Sequence, residues 1–94
     1  MIERTVIIGS EHGLHARPAA KFVQQVNVLG VPITIAKDGG DPVDARSIMG
    51  VLSQNICHGD MVTLASEAPG AEAALDDLVV MLTTNLDNDA HGHV

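Results

Sequence analysis

The run Gly13-Leu14-His15-Ala16-Arg17-Pro18-Ala19-Ala20 puts an imidazole, a guanidinium and a proline close together in one short segment. Proline is favoured in the first turn of a helix, where its missing N–H costs nothing. Pro18 therefore marks a helix start, with His15 at its mouth. The first N–H groups of a helix have no internal partner and point outward, and the helix dipole adds positive potential there. A dianion placed at that end is stabilised. Arg17 brings a planar guanidinium that can grip phosphoryl oxygens through two parallel hydrogen bonds. A neutral imidazole offers a ring-nitrogen lone pair as a nucleophile beside that site. The segment thus suits a nucleophile that accepts a phosphoryl group beside an anion site. Transfer of this kind depends on positioning and charge stabilisation, and it asks for no metal or other cofactor. The plainer alternative is a histidine that only caps or decorates a helix end.

A second segment carries candidates of another kind. Ser47 is placed to cap a short helix running to about Gln54, and Asn55 can take the left-handed conformation that ends it. So short a helix cannot bury all of Ile48, Met49, Val51 and Leu52. One or two of them stay exposed, and an adaptable methionine suits contacts with more than one partner. Five histidines invite a metal reading. His91 and His93 are near neighbours, as are His12 and His15, but neither pair has a third and fourth ligand at zinc-like spacing. No metal site is expected, and His12 is read as modulating the charge beside His15. Cys57 is the single cysteine and cannot form an internal disulfide. It is expected to be a small buried apolar residue in a reducing compartment.

The elements that must position these groups follow from periodicity. Residues 2–8 are rich in β-branched types and read as a strand, and residues 9–13 as a loop. Ala19, Phe22, Val23 and Val26 then recur at the spacing of one buried helical face, closed by Gly30 and Pro32. Residues 31–36 form a second strand, KDGGD a turn, and Pro42–Val43 a short third strand. Residues 60–66 read as a strand. The longest helical pattern runs over 71–86, with Ala74, Leu75, Leu78, Val79 and Leu82 as its buried stripe. Residues 1–88 make one domain and 89–94 a frayed tail. The order βαββαβα predicts an α+β fold, with helices on one face of a mainly antiparallel sheet.

Composition narrows the function classes. A chain of 94 residues is one small domain. With no Trp, no Tyr and one Phe, its core must be aliphatic, and it lacks stacking platforms for single-stranded nucleic acid. Net charge is −7, unevenly spread. Residues 1–37 carry two acids and four bases, for +2, and residues 38–94 carry ten acids and one base, for −9. Such a surface repels a phosphate backbone, so no nucleic-acid partner is expected. No run approaches the roughly 20 apolar residues that span a bilayer, and the first residues lack a signal-peptide pattern. The chain reads as soluble and cytoplasmic, with no membrane insertion.

Residues 13–20, GLHARPAA, resemble the active-site signature of HPr, the histidine-containing phosphocarrier family of the bacterial sugar phosphotransferase system. Residues 46–53, RSIMGVLS, resemble that family's regulatory-serine region. The two motifs stand in the right order and at the family's separation, allowing for an extra residue in the turn at 37–42. The likeness extends over residues 2–86. It implies an open-faced β-sandwich, a four-stranded antiparallel sheet with three helices on one side. It implies that His15 accepts the phosphoryl group through Nδ1, that Arg17 stabilises it, and that the amides of Ala16 and Arg17 complete the anion site. Ser47 matches the serine that a dedicated kinase modifies in some bacteria. Lys21, Arg46, Ile48, Met49 and Leu52 match the partner-binding face. The implied partners are enzyme I as donor and EIIA components as acceptors, with a serine kinase and a transcription regulator as further ones. The implied protein is a monomeric carrier with a covalent phosphohistidine, rather than a stand-alone turnover enzyme.

Two regions depart from the family pattern. Gln24, Gln25 and Asn27 stand where relatives carry more lysines, leaving Arg17, Lys21 and Arg46 as the local basic cluster. Gln54 occupies a site where an apolar residue is common. Two rival readings share the resemblance: a regulatory adaptor acting through Ser47, which would not need His15, and a paralogue serving a nitrogen-related phosphorelay.

Overall fold

Apolar periodicity and backbone pairing account for the architecture of residues 1–84, the part of the chain described by the computed structural model. The elements in chain order are β1 (Ile2–Ile7), α1 (Ala16–Leu29), β2 (Thr34–Lys37), β3 (Val43–Asp44), α2 (Ile48–Ser53), β4 (Met61–Ser66) and α3 (Glu72–Thr83). The four strands form one sheet in the order β1-β4-β2-β3, and every neighbouring pair is antiparallel. The last strand of the described residues therefore lies between the first two. The three helices cover one face, giving the α+β open-faced sandwich that the sequence predicts.

Alternation along the strands decides which face is covered. On β4, Val62, Leu64 and Ser66 are buried while Met61, Thr63 and Ala65 turn outward. A period of two is what a sheet with one solvated face requires. The helices supply the other half of the core. Pro18, Ala19, Phe22 and Val26 are the buried positions of α1, and Ala74, Leu75, Leu78 and Leu82 those of α3. Val23 and Val79, read as part of these stripes, are partly buried at the core's margin. Phe22, the one aromatic residue, is fully buried; truncating such a side chain costs about 3–5 kcal/mol. α1 ends at Gly30, whose φ of 70° is left-handed and whose N–H reaches the Val26 carbonyl.

β1 stops at Ile7 rather than at residue 8, and β3 is Val43–Asp44 rather than Pro42–Val43; three other boundaries differ from the pattern reading for local reasons. β2 begins at Thr34 rather than at residue 31. Pro32 has no N–H for a ladder, and its carbonyl accepts the Ser66 hydroxyl at 2.7 Å. β4 begins at Met61, because Asp60 closes the preceding turn. α3 ends at Thr83 rather than at residue 86. There the hydroxyls of Thr83 and Thr84 both donate to the Val80 carbonyl, at 3.0 and 2.7 Å. Such back-bonding competes with the helical ladder, and Thr84 is extended. Leu86, the expected domain end at 88, the tail 89–94, His91 and His93 lie outside the described residues.

Candidate functional site

Residues 9–15 lead from β1 into α1, and both ends of this loop are tied to one turn. At its start, Ile8 donates its N–H to the Asp60 carbonyl at 2.9 Å and accepts from Gly59 at 3.0 Å. At its end, Leu14 donates to the Ile56 carbonyl at 2.9 Å, and its side chain is fully buried. Gly13 lies between these anchors with φ of 66°. A Cβ there would overlap the Ile56 carbonyl oxygen and come within 2.7 Å of the Cys57 Cα. Only glycine permits that approach.

His15 follows as the N-cap of α1, with extended backbone angles of −121° and 155° and no side-chain capping bond. Its ring is not spent on satisfying its own helix. The next residue, Ala16, has a φ of 50°, a left-handed conformation that costs a side-chain-bearing residue of order 1–3 kcal/mol. This kink lets an extended residue 15 meet a helix that starts at once. Buried Leu14 on one side and buried Pro18 and Ala19 on the other hold it in place. No acidic residue occupies the first turn of α1, so nothing there offsets the positive helix end.

His12, His15, Ala16, Arg17 and Pro18 line one open concavity of about 520 Å³. The structure thus brings together His15, Arg17, the Ala16 backbone and His12. By helix geometry the N–H groups of Ala16 and Arg17 have no helical partner. Arg17 is exposed and His15 half-buried. Lys21 stands one turn beyond Arg17 on the same helical face.

The second motif forms α2. The Ser47 hydroxyl accepts the Gly50 N–H at 3.1 Å, so Ser47 is a true N-cap. Met49 is 73% exposed and Ile48 37%, while Val51 is fully buried and Leu52 packs partly against the core. Asn55 has the expected left-handed φ, 52°. α2 runs antiparallel to α1: the Arg46 carbonyl faces Asn27, and the Ile56 carbonyl faces Leu14.

That direction separates Arg46 from the other basic residues. Asn27 lies ten residues along α1 from Arg17, about 15 Å at 1.5 Å per residue. Arg46 also donates to Asp44 at 3.2 and 3.3 Å. The Arg46 hydrogen bonds hold the Asp44 carboxyl below the usual carboxylate range. Arg46 therefore lines a separate concavity of about 390 Å³ at the opposite end of the sheet, with Pro32 and Ser66. The basic cluster around His15 is Arg17 and Lys21.

The reading of Cys57 is also revised. Cys57 is exposed, because its neighbour Ile56 takes the core position. Gln54, unusual for its site, acts as a polar clip. Its side chain accepts the Lys37 N–H at 2.9 Å and donates to the Asp41 carbonyl at 3.0 Å, fixing the turn between β2 and β3. The anchoring roles of Ile56 and Asp60 were not foreseen. Only the Gly59-Asp60 turn chemistry hinted at them, since their partners are distant in sequence.

Fold and site together define a small open-faced α+β sandwich that presents an uncommitted histidine at the N-terminus of its first helix. The family described as "PTS HPr component phosphorylation site" matches residues 2–84. The phosphocarrier protein HPr of Streptomyces coelicolor is 47% identical over 87 residues, covering 93% of this chain and 94% of that protein. The HPr of Haloferax volcanii is 42% identical, covering 88% and 94%. The crystal structure of a phosphocarrier protein HPr from Bacillus anthracis superposes with a TM-score of 0.81 at 42% identity, over 86% of this chain and 95% of that one. The chain belongs to the HPr family of the phosphotransferase system. Among the described residues, no helix is long and apolar enough to cross a membrane.

Proposed function

We propose that this chain is a cytoplasmic phosphocarrier that takes a phosphoryl group on Nδ1 of His15 from phosphorylated enzyme I and passes it to EIIA components of sugar uptake. One observation supports this most: the His15 ring makes no capping bond at a helix end that has no acid in its first turn and shares its concavity with Arg17. The Nδ1 lone pair attacks the phosphorus in line. The new P–N bond forms as the bond to the donor breaks. The Ala16 and Arg17 amides and the Arg17 guanidinium take up the phosphoryl oxygens. Charge is met by groups already in place, which is where such transfer gains most.

Docking uses the exposed side chains of Ile48 and Met49, with Leu52 and Lys21 flanking. Arg46 serves the far edge of that face. Donor and acceptor use the same face, so the complexes are mutually exclusive and transient. The carrier acts as a monomer. Dimers are described for an HPr of Thermoanaerobacter tengcongensis and for Crh of Bacillus subtilis, and sedimentation of this chain at working concentration tests the point.

Ser47 is a site for a regulatory kinase in this reading. Its hydroxyl sits on an exposed residue at a helix start, where added negative charge is tolerated locally and repels acidic partners. HPr-like proteins named Crh are among the relatives, at 40% identity in Halalkalibacterium halodurans.

The test is to incubate the protein with enzyme I and labelled phosphoenolpyruvate. Label should be stable to alkali, lost in acid, and absent from His15→Ala. Persistent label in that variant would move the acceptor elsewhere.

A further inference from the structure

We infer that Asp60 is a positioning residue for His15, acting through the turn that grips both ends of the loop before α1. The inference rests on the reading of His15 as phosphoryl acceptor.

The turn spans residues 56–60. Asp60 donates its N–H to the Cys57 carbonyl at 3.0 Å, with Gly59 at φ of 86° in the place where a type II turn needs a positive φ. The Asp60 carboxylate then reaches back and accepts the Cys57 N–H at 2.8 Å, so one residue closes the turn twice. Lys37, at the end of β2, pins the same oxygen, Oδ2, at 3.3 Å. Its ammonium also donates to the Asn55 carbonyl at 3.1 Å, so the segment leading into the turn is held from the same point. The cationic Lys37 and the Cys57 amide are the groups that face this carboxylate.

The turn's own backbone sets the loop. Gly59 and Asp60 hold Ile8, and Ile56 holds Leu14. Cys57 packs its Cα where a Cβ on Gly13 would lie. Ile8 and Leu14, on either side of the loop before His15, are therefore both anchored on a turn whose shape one carboxylate fixes, while Gly9 is held separately by the Leu82 carbonyl at 2.8 Å. The left-handed Ala16 that follows needs such a fixed approach, since a strained residue persists only when its surroundings over-determine it. Loosening residues 56–60 lets Leu14 shift and carries the imidazole away from the helix-end amides. Small misplacements of a reacting group are costly to rate.

Asp60→Ala removes both carboxylate contacts, whereas Asp60→Asn keeps an oxygen that can accept the Cys57 N–H. Both are compared with the parent protein and with His15→Ala. Two readouts are taken: steady-state acceptance from phosphorylated enzyme I, and the imidazole nitrogen and proton resonances of His15 by NMR. Positioning predicts that Asp60→Ala lowers kcat for acceptance about tenfold with KM within about twofold. It also predicts shifted His15 resonances, with both properties largely restored in Asp60→Asn. Unchanged kcat and unmoved resonances in a folded Asp60→Ala overturn the inference, as does a loss confined to KM. If Asp60→Ala does not fold, Lys37→Met replaces it, with an expected fall in kcat of about threefold; an unchanged kcat and resonance pattern there overturns it equally. The NMR readout needs no phosphoryl transfer. Label on His15→Ala moves the acceptor elsewhere and defeats the reading on which the inference rests, whereas unmoved resonances with His15→Ala unlabelled defeat the positioning role alone.

Discussion

Gly13 lies against the backbone of Cys57 so closely that an added Cβ would stand 2.7 Å from the Cys57 Cα. Two stretches of chain over forty residues apart thus meet without a side chain between them, next to the candidate acceptor. The residue also has a φ of 66°. Gly13→Ala should therefore combine backbone overlap with left-handed strain, and lose about 2–4 kcal/mol of stability. Urea denaturation measures it. A loss below about 0.5 kcal/mol would show that the loop does not sit on that turn.

Ala16 makes a converse case. Its φ of 50° strains an alanine and suits glycine. Ala16→Gly should leave stability unchanged or raise it by up to about 1 kcal/mol. Ala16→Val, β-branched and more strained at this φ, should cost more than about 1 kcal/mol. The reverse ranking by thermal denaturation would place residue 16 in ordinary helical conformation.

The Ser47 cap sets the scale for any modification there. Removing its hydroxyl frees the Gly50 N–H, so Ser47→Ala should lose about 1 kcal/mol. Ser47→Asp retains an acceptor at an N-cap and should stay within about 0.5 kcal/mol of the parent. If the aspartate variant also accepts phosphoryl groups more slowly from enzyme I, the effect lies in docking or charge and not in folding.

Met49 separates packing from recognition. It is 73% exposed, so Met49→Lys should change stability by less than about 0.5 kcal/mol. The same change puts a charge on the apolar face and should raise KM for the enzyme I reaction severalfold. An unaltered KM would remove Met49 from the docking surface.

Acid sensitivity follows from two carboxylates. Asp60 is held below its ordinary value of 3.8, chiefly by the Cys57 N–H and then by Lys37. Asp44 is held below the same value by Arg46. For a lowered carboxylate the folded state binds the proton more weakly than the unfolded chain does. Its contribution is present above the ordinary value of 3.8 and is lost as pH falls through the lower folded value. Denaturation midpoints across that acid range should fall more steeply for the parent than for Asp60→Asn. Parallel curves would mean that the Asp60 contacts do not form in solution.

Legibility from sequence followed the range of the interactions. Local devices were readable: the buried stripe of α1, the Ser47 cap, the left-handed Asn55, and the histidine-arginine-proline spacing at a helix mouth. The fold class followed from element order. The position of β4 between β1 and β2 did not, because spacing carries no pairing information. Cys57 was misplaced because apolar character does not tell which of two adjacent residues, Ile56 or Cys57, takes the single inward position. The separation of Arg46 from Arg17 and Lys21 depended on the direction in which α2 passes α1. The Asp60 turn was hidden for the same reason, since its partners Ile8, Leu14 and Lys37 come from other segments.

The central claim is tested most directly by locating the group. The protein, loaded by enzyme I and phosphoenolpyruvate, is kept at alkaline pH and its phosphorus–nitrogen bond assigned by NMR on nitrogen-15-labelled material. A single phosphoramidate coupled to Nδ1 of His15 is the predicted result. A phosphoryl group on His12, His58 or any hydroxyl, with the His15 ring unmodified, would contradict it.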